Sequence, residues 1–308
     1  MMQSLPKLRI GTRGSPLALW QANAVRDALL AAHRWAPDAV AIEVIRTTGD
    51  TITDRALSEA GGKGLFTLEI EDALLEGRID LAVHSAKDMA TVLPDGLHIA
   101  GYLPRADVRD ALILREGSSL ADLPEGARVG TASLRREAQL RRLRPDLTVG
   151  LLRGNVHTRL ARVAEGLFDG TLLALAGLTR LGLEDKAASI LDTDAFLPAV
   201  GQGAVAIEGR VNDDHCAAAL ALMTDAATGV AVTLERAFLA ELDGSCRTPI
   251  AGLATVEGGR IAFRGLLLSN DGREAIETTR EGDVADAAQL GADAGREVRG
   301  RAPAHMLV

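Results

Sequence analysis

The stretch Leu8-Arg-Ile-Gly-Thr-Arg-Gly-Ser15-Pro16 decides the expected fold, because it joins a short apolar strand directly to a helix. The strand is predicted from Leu8 to Gly11. Ser15 is a favourable N-cap residue and Pro16 suits a first helical turn, so a helix is predicted from there to about His33. A strand that runs straight into a helix is the unit of parallel sheets, and the N–H groups at the helix start, with a nearby Arg13, favour an anion.

The same alternation of strand and helix continues through the first two-thirds of the chain, which predicts α/β architecture with mostly parallel sheets. Further strands are predicted at Val40–Arg46, Ile79–His84, Ala111–Leu114, Arg128–Gly130, Leu147–Leu152 and Thr171–Ala176. Helices are predicted at Leu65–Leu75 and near 133–143 and 155–165. The long polar stretch 47–64 lacks apolar periodicity and ends in glycines, so we expect a lid or a linker there.

From about residue 227 the pattern changes to that of a small α+β domain with a three-stranded antiparallel sheet. A helix is predicted at Val230–Leu242, strands at Pro249–Val256, Arg260–Leu268 and Glu274–Arg280, and a last helix at Val284–Val298. Glycine-containing turns at 258–259 and 269–272 would connect the strands.

The basic residues are concentrated in one segment of an otherwise acidic protein. Residues 128–162 contain nine arginines and two acids, although the whole chain has a formal net charge of -8. Such a local excess repels itself unless an anion lies among the arginines, and the guanidinium group binds carboxylate or phosphate through two parallel hydrogen bonds. The segment therefore predicts a ligand with several negative charges.

Two further sites carry reactive side chains. Lys87 and Asp88 directly follow a predicted strand, at the end where open α/β sheets bind ligands. Cys246 lies in a loop between Ser245 and Arg247, and a neighbouring arginine lowers the pKa of a thiol, which favours a nucleophilic or attachment role. Cys216 lies on an alanine-rich helix and is expected to be structural. No Cys-His spacing typical of a metal site surrounds Cys246.

Composition limits the possible function classes. Two cysteines are too few for a disulfide framework, and neither a signal peptide nor an apolar run of about 18 residues is present, so we expect a cytoplasmic protein with no membrane partner. Only 3% of the residues are aromatic and the chain is acidic, which argues against nucleic-acid binding.

Eight motifs in order resemble those of the porphobilinogen deaminase (hydroxymethylbilane synthase) family over nearly the full chain. They are Gly11-Thr-Arg-Gly-Ser-Pro-Leu-Ala18, Gly62-Lys-Gly-Leu-Phe66, His84-Ser-Ala-Lys-Asp88, Gly130-Thr-Ala-Ser-Leu-Arg-Arg136, Arg153-Gly-Asn155 with Thr158-Arg159, Ala176-Gly-Leu-Thr-Arg180, Pro198-Ala-Val-Gly-Gln-Gly203, and Leu234-Glu-Arg-Ala-Phe-Leu239 leading to Cys246.

The resemblance implies a fold of two hinged doubly wound α/β domains, similar to type II periplasmic binding proteins, plus the small α+β domain. Domain 1 would comprise residues 1–104 and 200–224, domain 2 residues 105–199, and domain 3 residues 225–308. It implies a monomeric transferase that condenses four porphobilinogen molecules head to tail, releases ammonia at each step, and frees hydroxymethylbilane by hydrolysis. Its cofactor would be a dipyrromethane primer attached to Cys246 by a thioether.

The resemblance also assigns the site residues. Asp88 would be the catalytic carboxylate, and Lys63 would lie in the lid. The cofactor would be bound by Cys246, Lys87, Asp88, Thr131, Ser133, Arg135, Arg136, Arg153 and Asn155. Porphobilinogen would be bound by Arg13, Ser15, Arg153, Arg159, Arg180 and Gln202. Many relatives have a serine at the position of Ala132, so one hydroxyl contact to a carboxylate would be missing here.

Two other classes explain part of the sequence. A binding protein for an anionic metabolite would use the arginines and leave Asp88 and Cys246 without a role. An RNA-binding module would use the arginines only. A covalent chromophore on the purified protein would distinguish the enzyme from both.

Overall fold

A computed structural model describes residues 7–51, 66–242 and 248–307. The strands in these ranges are β1 (Leu8–Thr12), β2 (Val40–Val44), β3 (Leu81–Ser85), β4 (Leu97–Tyr102), β5 (Asp110–Leu114), β6 (Arg128–Gly130), β7 (Thr148–Gly150), β8 (Gly170–Ala174), β9 (Ser189–Ile190), β10 (Val205–Arg210), β11 (Ile250–Glu257), β12 (Arg260–Leu268) and β13 (Ala275–Asp283). The helices are α1 (Pro16–His33), α2 (Thr48–Thr51), α3 (Leu68–Leu75), α4 (Leu134–Leu143), α5 (Val156–Ala164), α6 (Leu175–Arg180), α7 (Asp214–Leu220), α8 (Ala226–Glu241) and α9 (Ala287–Arg301).

The described residues of the first compact unit are 7–51, 66–105 and 204–229, and they contain a five-stranded sheet in the order β2-β1-β3-β10-β4. Strands β2, β1 and β3 are parallel, whereas β10 is antiparallel to both β3 and β4. Val25 and Leu29 of α1 pack with strand residues such as Leu8 on one face, and Ile70 and Leu74 of α3 pack with a second cluster. Helices therefore cover both faces of this sheet, as the doubly wound class requires.

The described residues of the second unit lie within 106–203 and 230–307, and its five-stranded sheet repeats the arrangement of the first in the order β7-β6-β8-β5-β9. Strands β7, β6 and β8 are parallel, and β5 is antiparallel to its two neighbours. Leu140 of α4 packs in one apolar cluster with β-strand residues, and Val163 of α5 packs with Leu178 of α6 in another. This sheet is also covered on both faces.

The same unit contains the antiparallel sheet β11-β12-β13. Phe238 of α8 and Val298 of α9 share its apolar core, which means that both helices pack on the sheet. Leu266 and Leu268 of β12 form a separate cluster with Ala138 of α4. Because this cluster links the small sheet to α4, residues 230–308 belong to one compact unit with residues 106–203. The boundaries between three domains stay a prediction.

The structure confirms the predicted fold class of two α/β sheets and a three-stranded antiparallel sheet. Helix α1 ends at His33 as expected, and the Ser15 hydroxyl accepts a hydrogen bond from the Ala18 N–H as its N-cap. Strands β6 and β12 have the predicted bounds. None of the described helices has the length and apolar character needed to cross a bilayer.

Several boundaries differ from the sequence-based prediction. The strand expected at Thr171–Ala176 ends at Ala174, because α6 begins there without a connecting loop. The last helix starts at Ala287, since residues 284–286 form a 3-10 turn. Strands β4 and β10 and helix α7 were not predicted at all. Strand β10 is apolar only from Val205 to Ile207 and is buried on both faces, so it lacks the alternation of a half-exposed strand.

The two glycine turns of the small sheet allow a test of its contact with α4. Gly258 and Gly272 both have positive φ, +55° and +73°, but a Cβ on Gly272 would lie 2.2 Å from the Ala138 carbonyl oxygen, whereas a Cβ on Gly258 meets nothing within 4 Å. We expect Gly258→Ala to lower the free energy of unfolding by about 1–2 kcal/mol through backbone strain alone. Gly272→Ala should lower it by about 1–3 kcal/mol more, because the turn and the backbone of α4 at Ala138 must move apart. Urea unfolding of both variants measures the difference, and equal losses would contradict the close approach.

Candidate active site

The first unit brings three of the predicted site residues together at the carboxyl ends of β1 and β3. Arg13 and Ser15 follow β1, and Asp88 ends the 3-10 turn that follows β3. A cavity of about 70 Å³ is lined by Arg13, Ser15, Leu17, Ala18, Gln21, Phe66, Thr67, Val83, His84, Ser85 and Asp88. Lys87 is exposed beside Asp88 and is not among the residues that line the cavity.

Two neighbours fix the walls of this cavity. The Arg13 guanidinium lies 4.2 Å from the ring centre of Phe66, a cation–π contact that orients the guanidinium. The Gln21 side-chain amide donates a 2.9 Å hydrogen bond to the Ser85 hydroxyl, which ties α1 to the end of β3. Gln21 was not among the predicted site residues. The signal available was its place on α1 two turns after Ser15, and only the sheet shows that it faces Ser85.

In the second unit, the predicted polar ligands lie at helix starts that follow parallel strands. Ser133 is the N-cap of α4 and accepts a hydrogen bond from the Arg136 N–H, and Asn155 is the N-cap of α5 and accepts from the Thr158 N–H. The Thr131 hydroxyl oxygen accepts from the Ser133 N–H at 3.1 Å. Ala132 lies in the same loop between β6 and α4. The Ser133 hydroxyl and the Asn155 amide nitrogen still carry protons that they can donate, and each helix start favours negative charge. Both sites therefore suit carboxylates.

Arg135 and Arg136 are directed toward an internal carboxylate. Both are buried, and each donates a 2.7 Å hydrogen bond to Asp110, which is itself fully buried on β5. Burial by itself would raise the pKa of Asp110, but the two guanidinium charges outweigh it and hold that pKa well below its usual range. Two arginines and one ionised carboxylate leave a net positive charge in this buried cluster. That Arg135 and Arg136 bind the cofactor stays a prediction.

Gln202 belongs to the same buried cluster. Its amide nitrogen donates to the Val108 carbonyl oxygen at 2.7 Å and to the Asp110 carboxylate at 3.1 Å. The Arg135 guanidinium and the Gln139 amide also donate to the Leu197 carbonyl oxygen. These hydrogen bonds hold the segment 197–203, which contains Leu197 and Gln202, against α4 and β5.

Three further predicted ligands lie in the second unit. Arg153 lies in the loop before α5. Arg159, on α5, donates from its Nε to the carbonyl oxygen of Gly154 in that loop at 2.9 Å. Arg180 at the end of α6 donates to the Gly203 carbonyl oxygen at 2.7 Å, and burial lowers its pKa. A lowered pKa means that the charged form of Arg180 is poorly solvated, so a nearby anion would stabilise it.

The arginine excess is partly neutralised by the protein itself. Besides the pair on Asp110, acids engage Arg141, Arg144 and Arg162, through Glu137, Asp146 and Glu165 respectively. Asp110 and Glu165 lie outside segment 128–162, which is why the local composition overstated the unbalanced charge. The inference of an anionic ligand therefore rests on fewer arginines than the sequence suggested.

Cys216 on α7 has the properties of a structural residue. It is buried, its thiol lies 3.6 Å from the Asp80 carbonyl oxygen, and burial together with the nearby Asp213 carboxylate raises its pKa to about 12. It is therefore a protonated thiol near neutral pH and a poor nucleophile. Cys246 and Lys63 lie outside the described residues.

Comparison with known proteins identifies the family. Residues 8–218 match the sequence model described as porphobilinogen deaminase, dipyromethane cofactor binding domain, and residues 230–300 match the porphobilinogen deaminase C-terminal domain. The chain belongs to the porphobilinogen deaminase family. It is a hydroxymethylbilane synthase, a transferase of porphyrin biosynthesis that works with a dipyrromethane cofactor.

Similar curated proteins cover nearly the whole chain. A porphobilinogen deaminase from Nitrobacter winogradskyi is 62% identical over 95% of this chain and 93% of its own length. One from Paracoccus denitrificans is 54% identical over 96% of this chain and 95% of its own length. Among solved structures, a putative methionine-binding lipoprotein from Bacillus subtilis is similar at 13% identity and a TM-score of 0.43, over 69% of this chain and 87% of that one.

The buried charge cluster of the second unit generates a stability prediction. Asp110→Asn should destabilise the protein by about 3–5 kcal/mol, because it leaves two buried guanidinium groups without a counter-charge. Asp107→Asn is the control, since Asp107 pairs with Arg109 in a partly exposed position and its loss should cost less than about 1 kcal/mol. Urea unfolding at neutral pH measures both.

The direction in which the pKa of Asp110 is shifted determines how its contribution to stability depends on pH. The pKa of Asp110 is lower in the folded protein than the value of about 3.9 expected when it is unfolded. Its stabilising contribution is therefore complete above that value and is lost as the pH falls toward the folded pKa. The stability difference between the wild type and Asp110→Asn should narrow below pH 4, and a constant difference would contradict the assignment.

Proposed function

We propose that Asp88 is the catalytic carboxylate of this hydroxymethylbilane synthase and that Cys246 holds its dipyrromethane primer. The observation that carries the first part is the cavity at the carboxyl end of β3, where Asp88 shares the lining with Arg13 and Ser15. A carboxylate beside an arginine and a capped helix start can bind both ends of a molecule that carries an amine and two acidic side chains.

The second unit provides groups that fit the carboxylates of a dipyrromethane. In the described part of the chain, the Nε of Arg135 is buried without a hydrogen-bond partner, and its cluster with Arg136 and Asp110 carries a net positive charge. An incoming carboxylate would accept a hydrogen bond from this Nε and balance the positive charge of the cluster. We assign cofactor binding to Lys87, Asp88, Thr131, Ser133, Arg135, Arg136, Arg153 and Asn155. When bound, the primer supplies the free pyrrole carbon onto which the first substrate is added.

Each addition needs a cation to be stabilised and a proton to be taken up. The C–N bond of the protonated porphobilinogen aminomethyl group breaks, ammonia leaves with the electron pair, and a cation remains on the substrate's pyrrole. The Asp88 carboxylate stabilises this cation electrostatically. A C–C bond then forms to the free pyrrole carbon of the growing chain, and that carbon loses its proton to Asp88.

The basic residues bind the acidic side chains of the substrate. Porphobilinogen carries one acetate and one propionate, and guanidinium groups bind such carboxylates through two hydrogen bonds. We assign this role to Arg13, Ser15, Arg153, Arg159, Arg180 and Gln202. The Gln202 amide nitrogen already donates to Val108 and Asp110, so we expect Gln202 to act mainly by holding the segment beside Arg180.

The attachment assignment is supported by the contrast between the two cysteines. The Cys216 thiol is buried with a pKa raised to about 12, which leaves Cys246 with its neighbour Arg247 as the better thiolate. We further propose a cytoplasmic monomer without a nucleic-acid partner and assign Lys63 to a lid. The low aromatic content of 3% and the internal neutralisation of several arginines support the absence of nucleic acid.

Removing the charge of Asp88 tests the catalytic assignment. Asp88→Asn should fold and carry the primer but lose at least about 100-fold in turnover, because an amide cannot stabilise the cation or accept the proton. Ammonia release from porphobilinogen measures turnover. Asp95→Asn, at an exposed position of the same unit, is the control and should be as active as the wild type. Turnover of Asp88→Asn at the control rate would remove Asp88 from its role.

Intact-mass measurement tests the attachment site. The wild-type protein should be heavier than its sequence by a dipyrromethane, with the adduct on the peptide that holds Cys246. Cys246→Ser should lose the adduct and the activity together, because the hydroxyl has no comparable nucleophilicity. Cys216→Ala is the control and should keep both. An unmodified mass in a fully active preparation would contradict the assignment.

A further inference from the structure

Three buried titratable side chains of the first unit interact with one another, and one of them, His84, lines the cavity that contains Asp88. His84 lies on β3, Glu208 on β10 and Glu71 on α3, and their exposed fractions are 6%, 0% and 4%. Antiparallel pairing places Ala206 opposite His84, so Glu208 is two residues further along and on the same face of the sheet. The His84 Nε2 lies 3.1 Å from a Glu208 carboxylate oxygen. The mechanism described above uses none of these three residues.

Glu208 is poorly stabilised for a buried carboxylate. Among the described residues, neither of its oxygens has a hydrogen bond of good geometry, and the same is true of the His84 Nε2. A buried ionised carboxylate without hydrogen bonds or a counter-charge is strongly disfavoured. The imidazole at 3.1 Å is the group in contact that can supply a proton or a positive charge.

The other charges around this group do not neutralise it. Burial raises the pKa of Glu71, and the Glu208 charge raises it further. Asp72, the next residue on α3, adds negative charge. Arg210 lies two residues after Glu208 on β10, but its guanidinium donates to the Leu74 and Ile79 carbonyl oxygens and pairs with Asp213. Arg210 is therefore engaged elsewhere, and the His84 imidazole is the basic group that contacts Glu208.

The cavity offers a route between His84 and the candidate catalytic residue. His84 lines the same cavity as Asp88, four residues before it in the chain. The cavity volume of about 70 Å³ exceeds the roughly 10–15 Å³ that one water molecule needs, so water can connect the two side chains.

We propose that His84, Glu208 and Glu71 form a proton store that acts through Asp88 and restores its carboxylate between additions. This rests on the proposed role of Asp88 as the acceptor of the pyrrole proton. In each addition the pyrrole carbon gives its proton to Asp88, and the proton then passes through cavity water to the store. The store then gives the proton to the amine of the next porphobilinogen, which leaves as ammonia, so protons balance over one cycle. The three residues are positioning residues, because none of them contacts the substrate in this scheme.

Neutralising the store tests the proposal in the primer-loaded enzyme. Glu208→Gln should lower kcat for hydroxymethylbilane formation about tenfold and leave KM for porphobilinogen within about twofold, because a proton-transfer step slows and substrate binding does not. The acidic limb of the kcat profile should move to higher pH, since solvent base must then remove the proton from Asp88. Glu76→Gln, at an exposed carboxylate of the same unit, is the matched control and should change neither quantity.

Two further measurements keep the proposal testable if Glu208→Gln does not fold. Glu71→Gln resembles the protonated side chain that the raised pKa of Glu71 favours, so it should fold, and it should shift the same acidic limb. In the wild type, the ¹⁵N signals of the His84 ring, assigned by their loss in His84→Gln, should change protonation across that limb. A ring that keeps one protonation state there would overturn the proposal.

The outcomes separate this proposal from the one on which it rests. An active Asp88→Asn enzyme would refute the catalytic assignment and the store together. An inactive Asp88→Asn enzyme, combined with a Glu208→Gln profile that matches the Glu76→Gln control, would refute the store alone. A lower kcat for Glu208→Gln with an unshifted acidic limb would mean that the group only supports the fold, which also refutes the store.

Discussion

The contact of Asp110 with Arg135 and Arg136 is the constraint on which the second unit depends. A fully buried carboxylate is tolerated only when its charge and its lone pairs are satisfied, and here two guanidinium groups and the Gln202 amide do so. The same contact joins β5, the first turn of α4 and the segment before β10. Any change that moves one of these elements would leave a buried charge without its partner, so they hold one another in place.

This constraint also shapes the carboxylate-binding chemistry. The cluster keeps one positive charge more than it needs for its own carboxylate, and Arg135 retains a buried Nε without a partner among the described residues. Close by in the chain, Ser133 and Asn155 cap helices that start where β6 and β7 end. A rigid positive cluster and capped helix starts together favour multivalent anions over single ones.

The first unit places a carboxylate beside an arginine and a helix start. Its cavity combines Arg13 and the capped start of α1 with the carboxylate of Asp88, and His84, which pairs with the buried Glu208, also lines it. Under the proposed function, this cavity is where the cation and the proton are generated, and the arginines hold acetate and propionate groups. Cys216 is packed as a core residue, and its raised pKa makes it a poor nucleophile.

Local sequence determined the elements whose signals are local. The N-cap at Ser15, the bounds of β6 and β12, and the glycine turns of the small sheet follow from capping, periodicity and backbone freedom, and the ordered motifs were enough to suggest the family. Tertiary structure alone decided the rest. The place of β10 between β3 and β4, the approach of Asp110 to arginines 25 and 26 residues away and the pairing of His84 with Glu208 join residues far apart in the chain. Such contacts depend on which strands become neighbours, and no local pattern of side chains encodes that choice.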